Sequence, residues 1–317
     1  AAGTITGDKI VCSGIQKPYN ITAIANATSY RWTLPDGSTT DTNITTLTID
    51  YSVVTSSGNL SVSGVNSCGV GVAKTDAITV LAPPVLSSAS SVTTCSNSVV
   101  PFTYTATSSN SSTTMSWTRA VVPGISNTIG TSTSGNISET LINTTSAPIE
   151  VVYVYTLTLN GCTNTQSVRV TVNPTPKLSS SLTPTAICSG ATFSYIPGFT
   201  ISGTTFSWTR GTQTGISELS NSGNASISEI LTNTTNASVG VDYILSLTSP
   251  SGCTSTETVR VNVNPLPSAA GAITGDKIVC SGSQKPYSIT AITNATSYRW
   301  TLPNGTVTNT DSASISV

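Results

Sequence analysis

Hydrophobic and polar residues alternate with a period of two along most of the chain, in runs rich in Thr, Val and Ile. For example, Tyr30, Trp32 and Leu34 fall on one face of an extended strand, and Phe206 and Trp208 do so later in the chain. No sustained run has the 3.6-residue period of an amphipathic helix. The pattern therefore predicts an all-β fold.

Turn signals separate the alternating runs and indicate how the strands connect. The runs 151–159 and 166–172 are joined by Asn160-Gly161-Cys162, and Asn-Gly between alternating runs is a strong hairpin signal. Similar signals recur about every 8 to 12 residues, which gives about seven strands in each 90-residue segment. With a tryptophan near the middle of each segment, this spacing predicts immunoglobulin-like β-sandwiches.

The chain also repeats itself. Residues 3–49 return as residues 271–317, with 32 of 47 positions identical at a constant offset of 268. A unit that begins again after other material indicates a tandem array.

Three proline-containing stretches divide the array. They are Leu81-Ala82-Pro83-Pro84, Val172-Asn173-Pro174-Thr175-Pro176 and Val263-Asn264-Pro265-Leu266-Pro267. Because proline favours extended backbone, we expect short, semi-rigid joints and a rod-like arrangement. We predict four modules: module 1 (residues 1–82), module 2 (83–175), module 3 (176–267) and the N-terminal part of module 4 (268–317).

The modules are of two types. Modules 2 and 3 share S-W-T-R, G-I-S, S-E-x-L, N-T-T and G-C-T segments and define type B, whereas modules 1 and 4 share the 268-residue repeat and define type A. The order is A, B, B, A. We expect the chain to be a segment of a longer protein, because module 4 stops part-way and no signal peptide is recognisable.

Seven cysteines follow the modular pattern. A tryptophan lies 20 or 22 residues after the first cysteine of each module, and we assign all four tryptophans, Trp32, Trp117, Trp208 and Trp300, to module cores. The short Cys-x-x-Cys spacings of zinc sites are absent, which favours disulfides in an oxidising compartment. We predict the pairs Cys12–Cys68, Cys95–Cys162 and Cys188–Cys253, with Cys280 unpaired by truncation. Whether the strand ends that carry these residues meet stays open at this stage.

The sequence resembles a known family. The segments G-x-I-T-G-D-K-I-V-C-S-G, N-A-T-S-Y-R-W-T-L-P and V-x-V-N-P-x-P are similar to PKD-like, immunoglobulin-like repeats of very large surface proteins of Bacteroidota, including gliding-motility adhesins exported by the type IX pathway. The resemblance covers essentially the whole chain. It implies PKD-like β-sandwiches on a cell surface, and it supplies no catalytic or ligand-binding residues.

Composition argues against several functions. Histidine is absent, which removes the usual general base and the Ser-His-Asp and Cys-His systems. Charged residues form only 8% of the chain, with 12 basic and 13 acidic side chains, so nucleic acid and anionic membranes are poor partners. No stretch of about 18 apolar residues predicts a membrane span. We expect no enzyme activity, no cofactor and no metal.

Calcium at the joints is the alternative that we considered for a metal. No D-x-D-x-D-G loop occurs and the proline stretches carry no acid, which leaves Asp8 and Asp276 as the only candidate ligands.

Two ion pairs are predicted inside the type B modules. Arg119 and Arg210 follow Trp117 and Trp208 by two residues and so share the face of a core strand. A buried guanidinium without a partner would be costly, and Glu139 and Glu229 recur at equivalent positions. We predict the pairs Arg119–Glu139 and Arg210–Glu229.

These features predict a non-enzymatic, extracellular segment of a long bacterial surface fibre or adhesin, in which disulfide-stapled modules act as spacers. Other copies of the chain in a filament, or a surface glycan or protein, are the partners considered. Two alternatives stay open: a glycan- or protein-binding module, and an accessory region of a secreted polysaccharide-degrading enzyme. A strand from another chain is a further way to complete module 4.

Overall fold

The computed structural model describes residues 3–97, 100–126 and 130–317. All regular structure in these ranges is β-strand, in agreement with the all-β prediction. Within the same ranges no helix is long and apolar enough to cross a membrane.

The chain forms two compact units, Ala1–Asn173 and Pro174–Val317. Every sheet takes its strands from one predicted module. The first unit holds the strands of modules 1 and 2, and the second holds those of modules 3 and 4.

Module 1 contains eight strands. They are β1 (Ile10–Cys12), β2 (Gln16–Asn20), β3 (Ser29–Thr33), β4 (Thr39–Thr42), β5 (Thr46–Asp50), β6 (Gly58–Asn66), β7 (Gly69–Val70) and β8 (Lys74–Leu81). One sheet has the order β1-β8-β6-β3-β4, with β7 paired to β6, and the other consists of β2 and β5. The core lies between the two sheets, where Tyr19, Trp32 and Val62 are buried together.

The described residues of module 2 form seven strands. They are β9 (Ser91–Cys95), β10 (Phe102–Tyr104), β11 (Thr114–Arg119), β12 (Gly130–Ser132), β13 (Ile137–Glu139), β14 (Ile149–Leu159) and β15 (Cys162–Asn173). The main sheet has the order β12-β11-β14-β15-β9, and β10 pairs with β13. Alternation places Val151, Tyr153 and Tyr155 of β14 in the core, with none of their surface exposed.

The predicted hairpin of module 2 is confirmed. Leu159 pairs with Cys162, and Asn160 and Gly161 form the turn with φ of 49° and 83°. Both φ values lie in the left-handed region that asparagine and glycine tolerate best, which explains the choice of residues.

Module 3 repeats this design. Its strands are β16 (Ile187–Cys188), β17 (Thr192–Tyr195), β18 (Thr205–Arg210), β19 (Asn221–Gly223), β20 (Ile227–Ile230), β21 (Val239–Thr248) and β22 (Thr254–Asn264). The order β16-β22-β21-β18-β19 matches that of module 2, and β17 pairs with β20.

Module 4 contributes two strand pairs. Its strands are β23 (Pro286–Ser288), β24 (Tyr298–Thr301), β25 (Val307–Thr310) and β26 (Ser314–Ser316). β23 pairs with β26, and β24 with β25. Within the described residues, module 4 has no counterparts of strands β6 and β8 of module 1.

Candidate functional site at the module joints

The first cysteine of modules 1, 2 and 3 ends a short strand that runs parallel to the last strand of its own module. Cys12 lies opposite Leu81, Cys95 opposite Asn173, and Cys188 opposite Asn264. In each case the opposite residue is the final one of the last strand. The first cysteine therefore lies where the chain leaves the module.

A buried asparagine holds this arrangement in the type B modules. In module 2 the Asn143 side chain donates through Nδ2 to the carbonyl oxygens of Ala147 (2.7 Å) and Val172 (2.9 Å). The amide of Asn143 donates to Ser96 Oγ at 2.9 Å, and Ser96 follows Cys95 directly. Asn143 thus joins the end of the last strand to the residue beside the first cysteine.

The second cysteine of a type B module lies at the opposite end of the last strand. Cys162 is the first residue of β15, and Cys253 directly precedes β22. Two residues after Cys162, Asn164 Nδ2 donates to the Pro84 carbonyl at 2.9 Å. Ser255 makes the same contact to Pro176. The second cysteine therefore lies where the chain enters the module.

A disulfide joins modules 1 and 2. Cys12 is bonded to Cys162, with a Cα–Cα distance of 5.5 Å and a sequence separation of 150 residues. This bond contradicts the predicted pairs Cys12–Cys68 and Cys95–Cys162. The correction follows from the strand geometry: Cys95 and Cys162 lie at opposite ends of the 12-residue strand β15. At about 3.3 Å per residue these ends are roughly 36 Å apart, far beyond the ~7 Å limit for a disulfide.

The predicted pair Cys188–Cys253 is also wrong, since these residues flank opposite ends of β22 and Cys188 is free. Cys68 lies in the β6–β7 turn, whereas Cys12 lies opposite Leu81 at the C-terminal end of β8. Cys68, Cys188 and Cys280 are free and exposed, whereas Cys95 and Cys253 are disulfide-bonded.

The two predicted ion pairs are confirmed. In module 2, Arg119 Nε lies 2.9 Å from Glu139 Oε2 and its second guanidinium nitrogen 3.1 Å from Oε1, so the contact is bidentate. The Arg119 side chain is only 1% exposed. Tyr153 donates to Glu139 Oε2 at 2.6 Å, and its ring lies 5.9 Å from the guanidinium carbon.

Module 3 has the same cluster of arginine, glutamate and tyrosine. Arg210 Nε lies 2.9 Å from Glu229 Oε2, and Tyr243 and Asn221 donate to the same carboxylate at 2.6 and 2.5 Å. Burial by itself raises the pKa of Glu229, but the hydrogen bonds from Arg210, Tyr243 and Asn221 outweigh it and hold this pKa below its ordinary value. Burial and the Glu229 carboxylate both raise the pKa of Tyr243. The cluster is therefore a charged pair with a neutral phenol.

Family comparison identifies the modules. A PKD-like domain model matches residues 1–80 and 266–317, and a second PKD-like domain model matches residues 92–176 and 185–267. The chain belongs to the PKD-like domain family. The two models divide the PKD-like modules in the same way as the sequence types A and B.

Solved structures similar to these tandem PKD-like modules include multi-domain fragments of titin, of a bacteriophage capsid protein and of DSCAM. The I-band fragment I67–I69 of titin is 12% identical over 84% of this chain and 99% of its own, with a TM-score of 0.38. The three N-terminal domains of the bacteriophage RB49 outer capsid protein Hoc are 12% identical over 84% and 100%, with a TM-score of 0.34. The eight N-terminal domains of DSCAM are 13% identical over 92% and 44%, with a TM-score of 0.28. A comparison with curated proteins finds no significant match.

The tryptophans occupy the cores of three PKD-like modules. Trp32, Trp117 and Trp208 are 0%, 4% and 6% exposed. Trp300 differs from the prediction because it is only partly buried. Trp32 pairs with Val62 of β6, whereas Trp300 pairs with Thr308 alone.

The two aspartates considered as calcium ligands form ion pairs with lysines. Asp8 contacts Lys17 at 2.6 Å, and Asp276 contacts Lys285 at 3.0 Å. Among the described residues, no group of three or more His, Cys, Asp or Glu side chains could hold a metal ion.

Two N-T-T segments that read as glycosylation sequons have a structural role. Asn143 and Asn233 are each 7% exposed, and both Nδ2 atoms donate to backbone carbonyls. A glycan cannot be attached to either nitrogen in the folded module. The recurrence of N-T-T in both type B modules is the sequence feature that points to this role. Residue types alone, however, do not distinguish a glycosylation sequon from a buried asparagine that binds backbone carbonyls.

Proposed function

We propose that this chain is a structural segment of a long extracellular bacterial surface fibre or adhesin, in which PKD-like modules act as covalently linked spacers. The observation that carries the proposal is the Cys12–Cys162 disulfide, which connects two consecutive modules around their proline linker. A spacer has to transmit tension between its ends, and a covalent bond across the joint does so without relying on the linker alone.

Further features of the sequence and the structure support a spacer. Two module types recur in tandem, and disulfides are typical of an oxidising, extracellular compartment. Among the described residues, the large hydrophobic side chains that are exposed are all aliphatic, and Trp32, Trp117 and Trp208 are buried in the module cores, where they cannot stack on a sugar. The histidine-free, weakly charged sequence also supports a non-enzymatic role without nucleic-acid binding.

The low charge favours assembly of copies. With 8% charged residues, little electrostatic repulsion opposes contact between strand edges of neighbouring chains. Other copies of the chain in a filament are therefore the partners that we propose.

Force spectroscopy on single molecules tests the load-transmitting role. The disulfide closes a loop of 150 residues, which cannot extend while the bond is intact. We compare chains that also carry Cys95→Ser and Cys253→Ser, because both of these cysteines are disulfide-bonded and would otherwise limit the extension. At ~3.5 Å per residue, we expect the fully unfolded oxidised chain in this background to be roughly 500 Å shorter than the same chain with Cys162→Ser. Adding Cys68→Ser removes a free cysteine and should leave the extension of the background chain unchanged. Equal lengths for all three proteins would contradict load transfer through the joint.

Binding measurements test the spacer role separately. A spacer should show no binding to a glycan array at micromolar protein. Saturable binding of one glycan class to the folded chain would contradict the spacer proposal and favour a recognition module, whatever the force measurement gives.

A further inference from the structure

We propose that copies of the chain join end to end: the entering end of module 1 docks onto the leaving end of module 3 in a second copy, where Cys68 forms an intermolecular disulfide with Cys188. This inference rests on the assembly of copies proposed above and names the surfaces that meet. The bond joins two molecules and requires no contact between the two units of one copy.

Cys68 occupies the position in module 1 that Cys162 occupies in module 2. Each lies at the tip of the hairpin that includes the end of its module's longest strand: Cys68 lies in the turn between the paired residues Asn66 and Gly69, and Cys162 pairs with Leu159 beside the turn. Cys162 is bonded in the joint between modules 1 and 2, whereas Cys68 is free and exposed. Cys68 is therefore an unbonded counterpart of a bonded cysteine.

Cys188 occupies the position in module 3 that Cys12 occupies in module 1. Each ends a short strand that runs parallel to the last strand of its module, with Cys12 opposite Leu81 and Cys188 opposite Asn264. Cys12 is bonded, whereas Cys188 is free and exposed. The two free cysteines thus correspond to the two partners of the observed disulfide.

Modules 3 and 4 show how the entering end of a type A module meets the leaving end of a type B module. Asn294 of module 4 donates through Nδ2 to the carbonyl oxygen of Asn236 at 3.0 Å. Asn236 lies in the loop that the buried Asn233 ties to the end of the last strand. This loop is the part of module 3 that a type A module contacts.

Module 1 presents the same contact residue. Asn26 is the equivalent of Asn294 at the offset of 268, and their φ values are 62° and 68°. The same backbone hydrogen bond closes the loop in both modules, at 3.1 and 3.2 Å. Asn66 Nδ2 donates to the Asn26 carbonyl at 2.8 Å and so fixes this loop beside the turn of Cys68. Docking through Asn26 therefore brings Cys68 to the leaving end of module 3.

The surface around Cys68 suits contact with that loop. Residues 66–73 of module 1 and residues 231–238 of module 3 carry no charged side chain, so no charge loses its hydration and no like charges repel on docking. Val70 and Val72 are 53% and 78% exposed, and with Cys68 they line a hollow of about 290 Å³. Burial of the two valines would stabilise the contact.

Module 4 of the same copy contacts this end of module 3 without supplying a cysteine. Within the described residues it has no counterpart of the β6–β7 hairpin, and Cys188 stays exposed. Exchange of module 4 for module 1 of a second copy would keep the asparagine contact and add a covalent bond. The third free cysteine, Cys280, belongs to no strand among the described residues and so lacks the pairing that positions Cys12 and Cys188.

The bond forms by exchange with a small disulfide such as glutathione disulfide. The Cys68 thiolate attacks the glutathione disulfide and releases one glutathione thiolate. The Cys188 thiolate of the second copy then attacks the Cys68 sulfur of the mixed disulfide and releases the second glutathione thiolate. The two protein thiols lose two electrons, the glutathione disulfide gains them, and the two cysteine protons pass to the released thiolates.

Non-reducing electrophoresis after folding in a glutathione redox buffer tests the proposal. Each copy carries one Cys68 and one Cys188, so the contact repeats head to tail. We expect a ladder of covalent species that grows with protein concentration and disappears on reduction. In a tryptic digest of the ladder, mass spectrometry should find peptide 32–74 linked to peptide 178–210.

Two variants, alone and mixed, separate this bond from unspecific pairing of exposed thiols. Cys68→Ser and Cys188→Ser should each stay monomeric, whereas their mixture should form covalent dimers and nothing larger. Dimers in the mixture also show that both variants fold. Cys280→Ser is the matched control and should keep the full ladder.

A wild-type chain that stays monomeric, covalent dimers in either variant alone, or loss of the ladder in Cys280→Ser would overturn the proposal. None of these results decides the spacer role, because the force and glycan-binding measurements test that role on the single chain. The two proposals therefore fail separately.

Discussion

At the scale of single residues, the type B core contains a full ionic cluster in each module. Arg210 is 2% exposed and Glu229 9%, and Tyr243 completes the hydrogen bonding of the carboxylate. Such a cluster tolerates the loss of one member poorly, because the remaining charge stays buried without a partner.

We predict that Arg210→Ala lowers the free energy of unfolding of module 3 by about 3 to 5 kcal/mol, because it leaves the Glu229 carboxylate buried and uncompensated. Chemical denaturation followed by the fluorescence of Trp208 measures the change. Arg260→Ala is the matched control, since Arg260 pairs with Asp242 on the surface and its removal should cost at most about 1 kcal/mol. Equal effects of the two substitutions would contradict a stabilising cluster.

The lowered pKa of Glu229 gives a pH dependence. Because this pKa is lower in the folded than in the unfolded chain, the unfolded chain binds more protons in the acid range and stability rises with pH. The contribution is complete above the unfolded pKa of about 4.3 and is lost as the pH falls through the folded value. Chemical denaturation at a series of pH values between 6 and 2.5 should show that Glu229→Gln loses less free energy of unfolding on acidification than the wild type does. Equal losses in the two proteins would contradict the lowered pKa of Glu229.

At the scale of strands, the sequence predicted the hairpin and the ion pairs but not the disulfide partners. The hairpin follows from the alternating pattern and the Asn160-Gly161 turn. The ion pairs follow from the position of Arg119 two residues after Trp117 and from a glutamate that recurs in both type B modules. The disulfide partners could not be predicted in this way. They depend on the parallel pairing of the first strand with the last, which joins residues about 70 to 80 positions apart and leaves no local signal.

The buried asparagine of each type B module, Asn143 or Asn233, is the residue that we expect to stabilise this strand pairing most. We call it the asparagine clamp. Asn233 Nδ2 donates to Val263 and Ala237 at 2.7 Å each. Asn233→Ala leaves both carbonyl oxygens without this donor, and we predict a loss of about 1 to 3 kcal/mol in the stability of module 3. Asn236→Ala, at an exposed position of the same loop, is the control and should change stability by less than about 0.5 kcal/mol. Hydrogen exchange of the Ser189 amide, which should become faster in Asn233→Ala alone, locates the effect at the clamp.

At the scale of the whole molecule, modules 1 and 2 are joined by a disulfide as well as by their linker. The chain-entropy estimate for a loop of 150 residues is about 5 kcal/mol, a large share of the stability of a domain this size. A disulfide that crosses the joint ties the unfolding of module 1 to that of module 2. This coupling suits a segment that carries tension along a fibre.

The measurement that tests this account most directly is peptide mapping of the unreduced chain. Trypsin places Cys12 in the peptide 10–31, Cys68 in 32–74 and Cys162 in 120–169, because the lysine before Pro18 is not cleaved. We expect mass spectrometry to find 10–31 linked to 120–169, and to find this species lost after reduction. A 10–31 peptide linked to 32–74 would contradict the covalent joint between modules 1 and 2.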